Sequence, residues 1–338
     1  MTEFAPPVGF LLHPDASLHD TGWGHPEHQG RLRALASTVG RDLLALHEKV
    51  VQVEPGRVTE EDLFRVHTPE YLALLRAHVD RAEKEGAPVP LDADTIVSAA
   101  SWAAATGSTA ALLTAVEQVA SGTLSSAFVA TRPPGHHATP ERAMGFCLIN
   151  HVAVAARWLR ATGRAERVLI VDWDVHHGNG TQDTFYADGT VFYLSLHQSP
   201  HYPGTGADDE TGTGDGDGWT LNVPLPAGTP VAEYRRHFAR ALEQALETCR
   251  PDFILISAGF DVMAGDPLGG MLLEPEDLHA LTREVMAGAA GEARVDGARE
   301  VGVVATLEGG YDPARTGLGA AAVLRALAGI DGLAGSRA

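Results

Sequence analysis

Residues 167–180 read RVLIVDWDVHHGNG, an apolar run that leads directly into two aspartates and two histidines. The continuous apolar residues predict a buried strand, Val168–Asp172, in a sheet that is covered on both faces. Asp174 and His176 are two positions apart, so on extended backbone their side chains project to the same face. A carboxylate and an imidazole at this spacing predict part of a metal site, whose remaining ligand comes from elsewhere in the chain.

Short apolar runs alternate with longer amphipathic stretches over most of the 338 residues. This alternation predicts a parallel sheet with helices on both faces, and the lack of a repeat or linker favours one domain over residues 1–338. The predicted strands are Val8–Leu12, Ala127–Thr131, Val168–Asp172, Thr190–Leu196, Phe253–Ser257 and Val301–Leu307. The predicted helices are Gln29–Leu46, Ser98–Val119, Asn150–Ala161, Val231–Thr248 and Pro275–Ala289.

Three other predicted strands are also followed by reactive side chains. In open α/β sheets, ligands bind beyond the carboxyl ends of the strands, so these side chains are expected at one common edge. The segments are RPPGHH (132–137), AGFD (258–261) and EGGY (308–311), which end in His136 and His137, in Asp261 and in Tyr311. Asp261 is the expected third ligand, because catalytic zinc takes three protein ligands and keeps one position open.

This set of residues suits the hydrolysis of an amide. A metal held by the three ligands would polarise a carbonyl group and lower the pKa of bound water. The adjacent histidines can act as general base and acid, and each needs a partner on its other ring nitrogen. Asp172 and Asn179 are available as partners, and the hydroxyl of Tyr311 can donate to the oxyanion. The residues therefore predict a metal-assisted amide hydrolase.

Composition narrows the class of partner. The chain has 25 Lys and Arg against 44 Asp and Glu, a net charge of −19, which disfavours nucleic acid and suits cationic peptides or polyamines. No apolar run approaches the roughly 18–20 residues that span a bilayer, so no membrane association is expected. The two cysteines form no CxxC pair, and a reducing cytoplasm is the expected location.

The motifs around these residues resemble the class II histone deacetylase family and its bacterial homologues, including acetylpolyamine amidohydrolases. They are RPPGHHA (132–138), GFC (145–147), WDVHHGNGTQ (173–182), SLH (195–197), YPGTG (202–206), AGFDVMAGDPLGGM (258–271) and EGGY (308–311). The motifs stand in family order, and the resemblance covers roughly residues 8–325. It implies an arginase/deacetylase-like three-layer α/β/α fold, with a central, mostly parallel sheet of about eight strands.

The resemblance also implies roles for single residues. The zinc ligands would be Asp174, His176 and Asp261, which Fe²⁺ would also suit. His137 would be the proton shuttle, and His136 an electrostatic helper that pairs with Asp172. Asn179 stands at the position that faces the second histidine, and Tyr311 matches the transition-state tyrosine.

A substrate tunnel follows from the same resemblance. Its walls would include Gly145, Phe146, Tyr202 and Leu268. The second aromatic is usually phenylalanine in the family, so Tyr202 adds a hydroxyl group. An N-terminal loop with Trp23, His25 and Glu27 either shapes the tunnel mouth or forms the turn before a helix.

Potassium is a further cofactor that the resemblance implies. One site would use main-chain and side-chain oxygens of Asp172, Asp174, His176, Ser195 and Leu196. A second, distal site would lie near Phe185, Asp188, Val191 and Trp219. Hard oxygen ligands suit such a cation, whose charge would bias the nearby histidine and carboxylate.

The leading substrate is an acetylated lysine in a protein or peptide, and the alternative is an acetylated polyamine. One polyamine-selective branch of the family has glutamate where this chain has Leu268, which argues against that mode. Asp92 or Asp94 would have to serve instead. Two other classes stay open: an arginase-like ureohydrolase with two manganese ions, and a catalytically silent acyl-lysine-binding module. Homo-oligomerisation also stays open.

Two residues near the motifs receive no catalytic role. His177 points away from His176 on extended backbone, so a structural role is expected. Asp266 precedes Pro267 and is assigned to a turn.

Overall fold

Strands and helices alternate along the chain, as a computed structural model shows for residues 5–46, 49–292 and 300–332. The strands of these residues are β1 (Val8–Leu11), β2 (Val50–Gln52), β3 (Val89–Pro90), β4 (Ile96–Val97), β5 (Ser126–Val129), β6 (Val168–Asp172), β7 (Val191–Gln198), β8 (Thr220–Leu225), β9 (Phe253–Ala258) and β10 (Gly302–Leu307). The helices are α1 (Gly30–Leu46), α2 (Glu60–Phe64), α3 (Pro69–Glu85), α4 (Ser101–Ala120), α5 (His151–Ala161), α6 (Asn179–Phe185), α7 (Val231–Cys249), α8 (Pro275–Glu292) and α9 (Pro313–Leu327).

Eight of the strands form one sheet in the order β2-β1-β5-β10-β9-β6-β7-β8. Every neighbouring pair in this sheet is parallel. The predicted α/β fold with a central sheet of about eight strands is thus confirmed, and all of its pairs are parallel. The remaining strands, β3 and β4, form a separate antiparallel pair.

Helices cover both faces of the sheet. Successive residues of a strand point to opposite faces, so each strand contributes side chains to two separate cores. On β6, Leu169 and Val171 pack into a core shared with α1, α7, α8 and α9. Val168 and Ile170 pack into a second core, shared with α3, α4 and α5. Two apolar faces explain why β6 is apolar over four successive positions.

The strands that were predicted to carry reactive residues are neighbours in the sheet, in the order β5-β10-β9-β6. Their carboxyl ends therefore lie side by side at one edge. All six predicted strands belong to the sheet, whereas the edge strands β2 and β8 were not predicted. No helix of the described residues is both long and apolar enough to cross a bilayer.

Candidate active site

Three potential metal ligands converge from the ends of β6 and β9. Asp174 and His176 follow β6, and Asp261 follows β9. Their ligand atoms all lie within 4.8 Å of one another, and all three residues are buried. His176 Nδ1 lies 3.0 Å from Asp174 Oδ1 and 3.3 Å from Asp261 Oδ2. The structure thus brings the three predicted ligands together.

The donor atoms fit a zinc or ferrous ion. Two carboxylates and one imidazole are the kinds of ligand that both ions accept. Asp261 Oδ2 is buried and has no hydrogen-bond partner, so this carboxylate oxygen is available to bind a metal ion. The other oxygens are held by main-chain amides: Val175 N donates to Asp261 Oδ1 at 3.0 Å, and Gly309 N to Asp174 Oδ2 at 2.8 Å. These bonds fix the direction of each carboxylate.

Gly309 closes the metal site from the side of β10. A Cβ atom at this position would lie 1.9 Å from Asp261 Oδ2 and 2.7 Å from Asp174 Oδ2. Neither oxygen can move away cheaply, because both carboxylates are buried and the other oxygen of each accepts a main-chain hydrogen bond. The close packing of main chain on the two carboxylates requires glycine here.

We therefore expect Gly309→Ala to weaken zinc binding about 10- to 100-fold, the usual cost of disturbing the groups around metal ligands. A competition titration against a chromophoric chelator measures the affinity. Gly40→Ala in α1 is the matched control, because a Cβ there meets no atom within 4 Å. Equal zinc affinities of the two variants would contradict the assignment of the ligands.

The tandem histidines lie beside the metal ligands, and each has the predicted partner. His136 Nδ1 lies 3.0 Å from Asp172 Oδ2, and His137 Nδ1 lies 2.9 Å from Asn179 Oδ1. An amide oxygen only accepts, so Nδ1 of His137 carries the hydrogen. The neutral ring therefore keeps an unprotonated Nε2 that can take up a proton.

The two histidines differ in their electrostatic surroundings. Burial would lower the pKa of His136, but the carboxylates of Asp174 and Asp172 outweigh burial and raise that pKa to about 10. Burial, together with His136 and His176, holds the pKa of His137 well below its ordinary value of 6.5. One member of the pair thus favours the cationic form and the other the neutral form. Such a division separates an electrostatic role from that of a general base.

Tyr311 approaches the site from the loop after β10. Gly310 has a φ of 117°, which favours glycine, and it turns the chain so that Tyr311 contacts Phe146 with ring centroids 5.6 Å apart. Burial raises the pKa of the Tyr311 hydroxyl well above 10, so the hydroxyl stays protonated and can donate. The guanidinium of Arg31 lies over the ring, 4.8 Å from its centroid.

A cavity of about 430 Å³ connects these residues with the surface. It is lined by Asp94, His137, Gly145, Phe146, His176, His201, Tyr202, Pro267, Leu268, Gly269 and Tyr311. All four predicted tunnel residues are therefore in the wall. Gly145 has a φ of 56°, and a Cβ there would lie 2.4 Å from the ring of His137, so the wall packs directly on the tandem histidine. Phe146 also has a positive φ, of 68°.

The N-terminal loop divides into two parts. His25 contacts Phe146 of the cavity wall with ring centroids 4.7 Å apart, but His25 does not itself line the cavity. Trp23 is 69% exposed. Glu27 is fully buried and pairs with Arg31 at 3.0 Å and with Arg132 at 2.7 Å, so it does not shape the mouth.

Several buried polar residues that support the site were not predicted. Asp266 Oδ2 accepts from Tyr311 N at 2.6 Å, and its Oδ1 accepts from Leu268 N at 2.9 Å. The turn assigned to Asp266 is present, but its carboxylate also holds Tyr311. Arg31 donates to the main-chain oxygens of Glu308 and Gly310. The local pattern gave no signal for these roles, because a charged residue is fully buried only when it is paired, and the partners of Asp266 and Arg31 come from other parts of the chain.

His177 lies outside the metal site. Its Nδ1 is 2.8 Å from Thr205 Oγ1, and its Nε2 is 3.0 Å from Gln182 Oε1. Gln182 in turn donates to Glu210 Oε2 at 2.6 Å. This network holds the loop after β7 that carries Tyr202. The contacts agree with the structural role expected for His177.

The predicted potassium residues form two sets, one at the carboxyl ends of β6 and β7 and one around α6 and the starts of β7 and β8. Asp172 and Ser195 are paired in register across β6 and β7. Asp172 Oδ2 also accepts from the hydroxyl of Tyr193 at 3.0 Å. In the distal set, the carboxylate of Asp188 pairs with Arg157 and accepts from Thr190 N at 2.8 Å. The carboxylate of Asp188 is thus already paired with other groups of the protein.

A buried histidine supports the loop after the tandem pair. His67 Nδ1 lies 3.1 Å from Thr139 O, and its Nε2 accepts from Asn150 N at 2.9 Å. The side-chain Nδ2 of Asn150 in turn donates to Ala138 O at 3.2 Å. Burial lowers the pKa of His67 from 6.5 to about 4, and a proton on Nε2 would face the N–H of Asn150.

His67 should therefore make stability depend on pH. Its pKa is lower in the folded state, so the unfolded chain binds more protons between pH 6.5 and 4. The contribution of neutral His67 to the free energy of unfolding is complete above pH 6.5. It falls by about 3 kcal/mol towards pH 4, because one unit of pKa corresponds to about 1.36 kcal/mol. Denaturant titrations of metal-free protein measure this slope. His67→Gln keeps an acceptor but does not titrate, and a slope as steep as that of the wild type would refute the assignment.

Comparisons with known proteins agree with this geometry. A family model described as "Histone deacetylase domain" matches residues 25–327. The chain is 36% identical over 328 residues to a probable deacetylase of Archaeoglobus fulgidus, across 96% of this chain and 87% of the relative. It is 35% identical over 328 residues to a histone deacetylase-like amidohydrolase of Pseudomonas aeruginosa, across 96% and 81% respectively. A crystal structure of the HDA15 HD domain is similar with a TM-score of 0.84 and 32% identity, and covers 97% of this chain and 89% of that chain.

Proposed function

Because the chain belongs to the histone deacetylase family, whose members are metal-dependent amidohydrolases, we propose that it is a zinc-dependent deacetylase of acetyl-lysine in proteins or peptides. The observation that carries the proposal is one cavity whose lining includes His137, His176 and Tyr311 together with the aromatic rings of Phe146 and Tyr202. An extended side chain that enters between the two aromatic rings would bring its terminal amide to these residues.

The chain's own residues would carry the proton transfers. Zinc held by Asp174, His176 and Asp261 would supply a Lewis acid that polarises the amide carbonyl and acidifies water. His137 Nε2 accepts the proton of the attacking water, since Nδ1 is occupied by Asn179. The same nitrogen then delivers a proton to the leaving amine. His136, held by Asp172, contributes positive charge beside the reaction.

Tyr311 would stabilise the charge that develops on the carbonyl oxygen. Its hydroxyl is protonated, it lies in the wall of the cavity, and Asp266 holds its main-chain amide. A donor that is fixed before the reaction stabilises an oxyanion without the cost of reorganising solvent. The products would be acetate and the free amine.

An acetylated polyamine is the second candidate substrate, and one observation favours it. Asp94 lines the cavity, and its carboxylate is the acidic group there that could bind a distal ammonium group. Leu268 also lines the cavity, and its side chain offers no such charge. The aromatic walls suit the aliphatic chain of either substrate, and we keep acetyl-lysine as the first choice because Leu268 stands where one polyamine-selective branch of the family has glutamate.

Steady-state hydrolysis of an acetyl-lysine peptide and of acetylputrescine by the zinc-loaded protein tests this choice. We expect kcat/KM to be at least about 10-fold higher for the peptide, an advantage of about 1.4 kcal/mol. A higher value for acetylputrescine would reverse the choice. Asp94→Asn then identifies the cause, because loss of the carboxylate should raise KM for acetylputrescine more than for a neutral acetyl-lysine amide.

The two other classes are tested by metal analysis and by turnover. Within the part of the chain that the structure describes, one group of three metal-ligating side chains converges. One zinc per chain is therefore expected, and two manganese ions would favour the ureohydrolase. A silent binding module would bind acetyl-lysine peptide without releasing acetate.

Potassium remains part of the proposal. The paired residues Asp172 and Ser195 support a cation site beside the tandem histidines. If potassium is bound there, the rate of hydrolysis by the zinc-loaded protein should change with the concentration of K⁺. An equal concentration of a bulky organic cation should not have the same effect.

A further inference from the structure

Glu308 is a fully buried carboxylate that has no part in the proton transfers. It follows β10, and its Oε2 accepts from two successive amides, Gly135 N at 2.7 Å and His136 N at 3.1 Å. Its Oε1 accepts from Ser257 Oγ at 3.0 Å. Among the described residues no lysine or arginine pairs with this carboxylate. Its partners are the loop of the tandem histidines and the end of β9.

The main chain beside Glu308 holds the other parts of the site. The next residue, Gly309, donates from its amide to Asp174 Oδ2 at 2.8 Å. Glu308 N donates to Ala258 O at 3.1 Å, three residues before Asp261. Tyr311 follows three residues later. One short segment therefore joins the loops that carry the metal ligands, the oxyanion donor and the tandem histidines.

We propose that Glu308 is a positioning residue for the reaction, which fixes the main chain of Gly135–His136 and thereby directs His137 towards the amide. The inference rests on the proposed function and goes beyond it. A buried carboxylate oxygen that accepts from two successive N–H groups holds both peptide units in one orientation. His137 is the next residue along the chain, so a shift of the peptide units at Gly135 and His136 also shifts the ring of His137.

Two substitutions separate positioning from charge. Glu308→Gln keeps all three hydrogen bonds, because its oxygen can accept from both amides and its NH₂ group can donate to Ser257 Oγ. Glu308→Ala leaves both amides without a buried acceptor. We expect kcat to fall about 10- to 100-fold in Glu308→Ala with KM within about 3-fold of the wild type, since small misplacements near the chemistry are costly. Glu308→Gln should retain most of kcat.

Coupling to His137 distinguishes positioning from a general loss of structure. If Glu308 acts through the histidine, Glu308→Ala has little further effect on kcat in a His137→Ala background. Independent effects that multiply would overturn the inference. If Glu308→Ala does not fold, Glu308→Asp is used instead, because its shorter side chain cannot reach both amides and should give an intermediate loss of kcat.

Hydrogen exchange of metal-free protein supplies a measurement that needs no activity. The amides of Gly135 and His136 should be protected in the wild type and in Glu308→Gln, and should exchange faster in Glu308→Ala. Unchanged exchange at both amides would refute the inference. A wild type that hydrolyses neither acetyl-lysine nor acetylputrescine would instead refute the proposed function, whatever the exchange shows.

Discussion

His137→Ala is expected to lower kcat/KM for an acetyl-lysine peptide by about 10²- to 10⁴-fold, the usual contribution of a general acid–base group. The ring is the one group of the tandem pair with an unprotonated Nε2, because Asn179 accepts from Nδ1 and burial keeps the ring neutral. The three metal ligands are untouched, so zinc content should stay at one per chain. Steady-state kinetics together with metal analysis measure both quantities.

His279→Ala is the matched control for this variant. His279 lies on α8, where its Nε2 donates to Ile330 O at 2.9 Å, and it is outside the cavity wall. The control should keep the kinetics of the wild type. If His137→Ala, fully loaded with zinc, also kept turnover within about 3-fold of the wild type, its assigned role as the general base would be wrong.

Tyr311→Phe should reduce kcat by about 10²- to 10³-fold, as removal of one oxyanion donor does in other hydrolases. Phenylalanine keeps the ring that packs on Phe146 and under Arg31, so the fold and the cavity should be retained. KM should change little, because the lost bond forms only as the carbonyl oxygen gains charge. Separate measurement of kcat and KM distinguishes this result from a loss of substrate binding.

Tyr234→Phe makes the same chemical change in another buried tyrosine. The Tyr234 hydroxyl has no hydrogen-bond partner and lies in the core beneath the sheet, so its removal should leave kcat unchanged. A comparable loss in both variants would point to a general effect of the substitution and count against the role of Tyr311.

The fold and the centre of the site followed from sequence because each motif directly succeeds an apolar strand. In a parallel sheet the carboxyl ends share one edge, so motifs that are far apart in sequence were expected to meet. The pattern of residues does not predict the order of the strands in the sheet. The site residues lie close together because β5, β10, β9 and β6 are neighbours. The edge strand β8 was missed because Asn222 and Pro224 interrupt its apolar pattern.

The residues that support the site were harder to predict. An acidic residue before proline is a common turn signal, so Asp266 gave no sign that its carboxylate would hold Tyr311. Glu27 and Glu308 belong to a residue type that is almost never fully buried without partners. Those partners, such as Arg132 and the amide of Gly135, come from distant parts of the chain. Pairings of this kind depend on three-dimensional contacts and not on local pattern.

The closure of the metal site by Gly309 also has a kinetic consequence. The carboxylates of Asp174 and Asp261 are fully buried, and main chain packs directly behind them, whereas His176 lines the cavity. An ion that arrives or leaves would therefore pass through the same cavity that we propose for the substrate. A molecule that fills this cavity traps the ion behind it, so a tightly bound inhibitor should slow the removal of metal by a chelator.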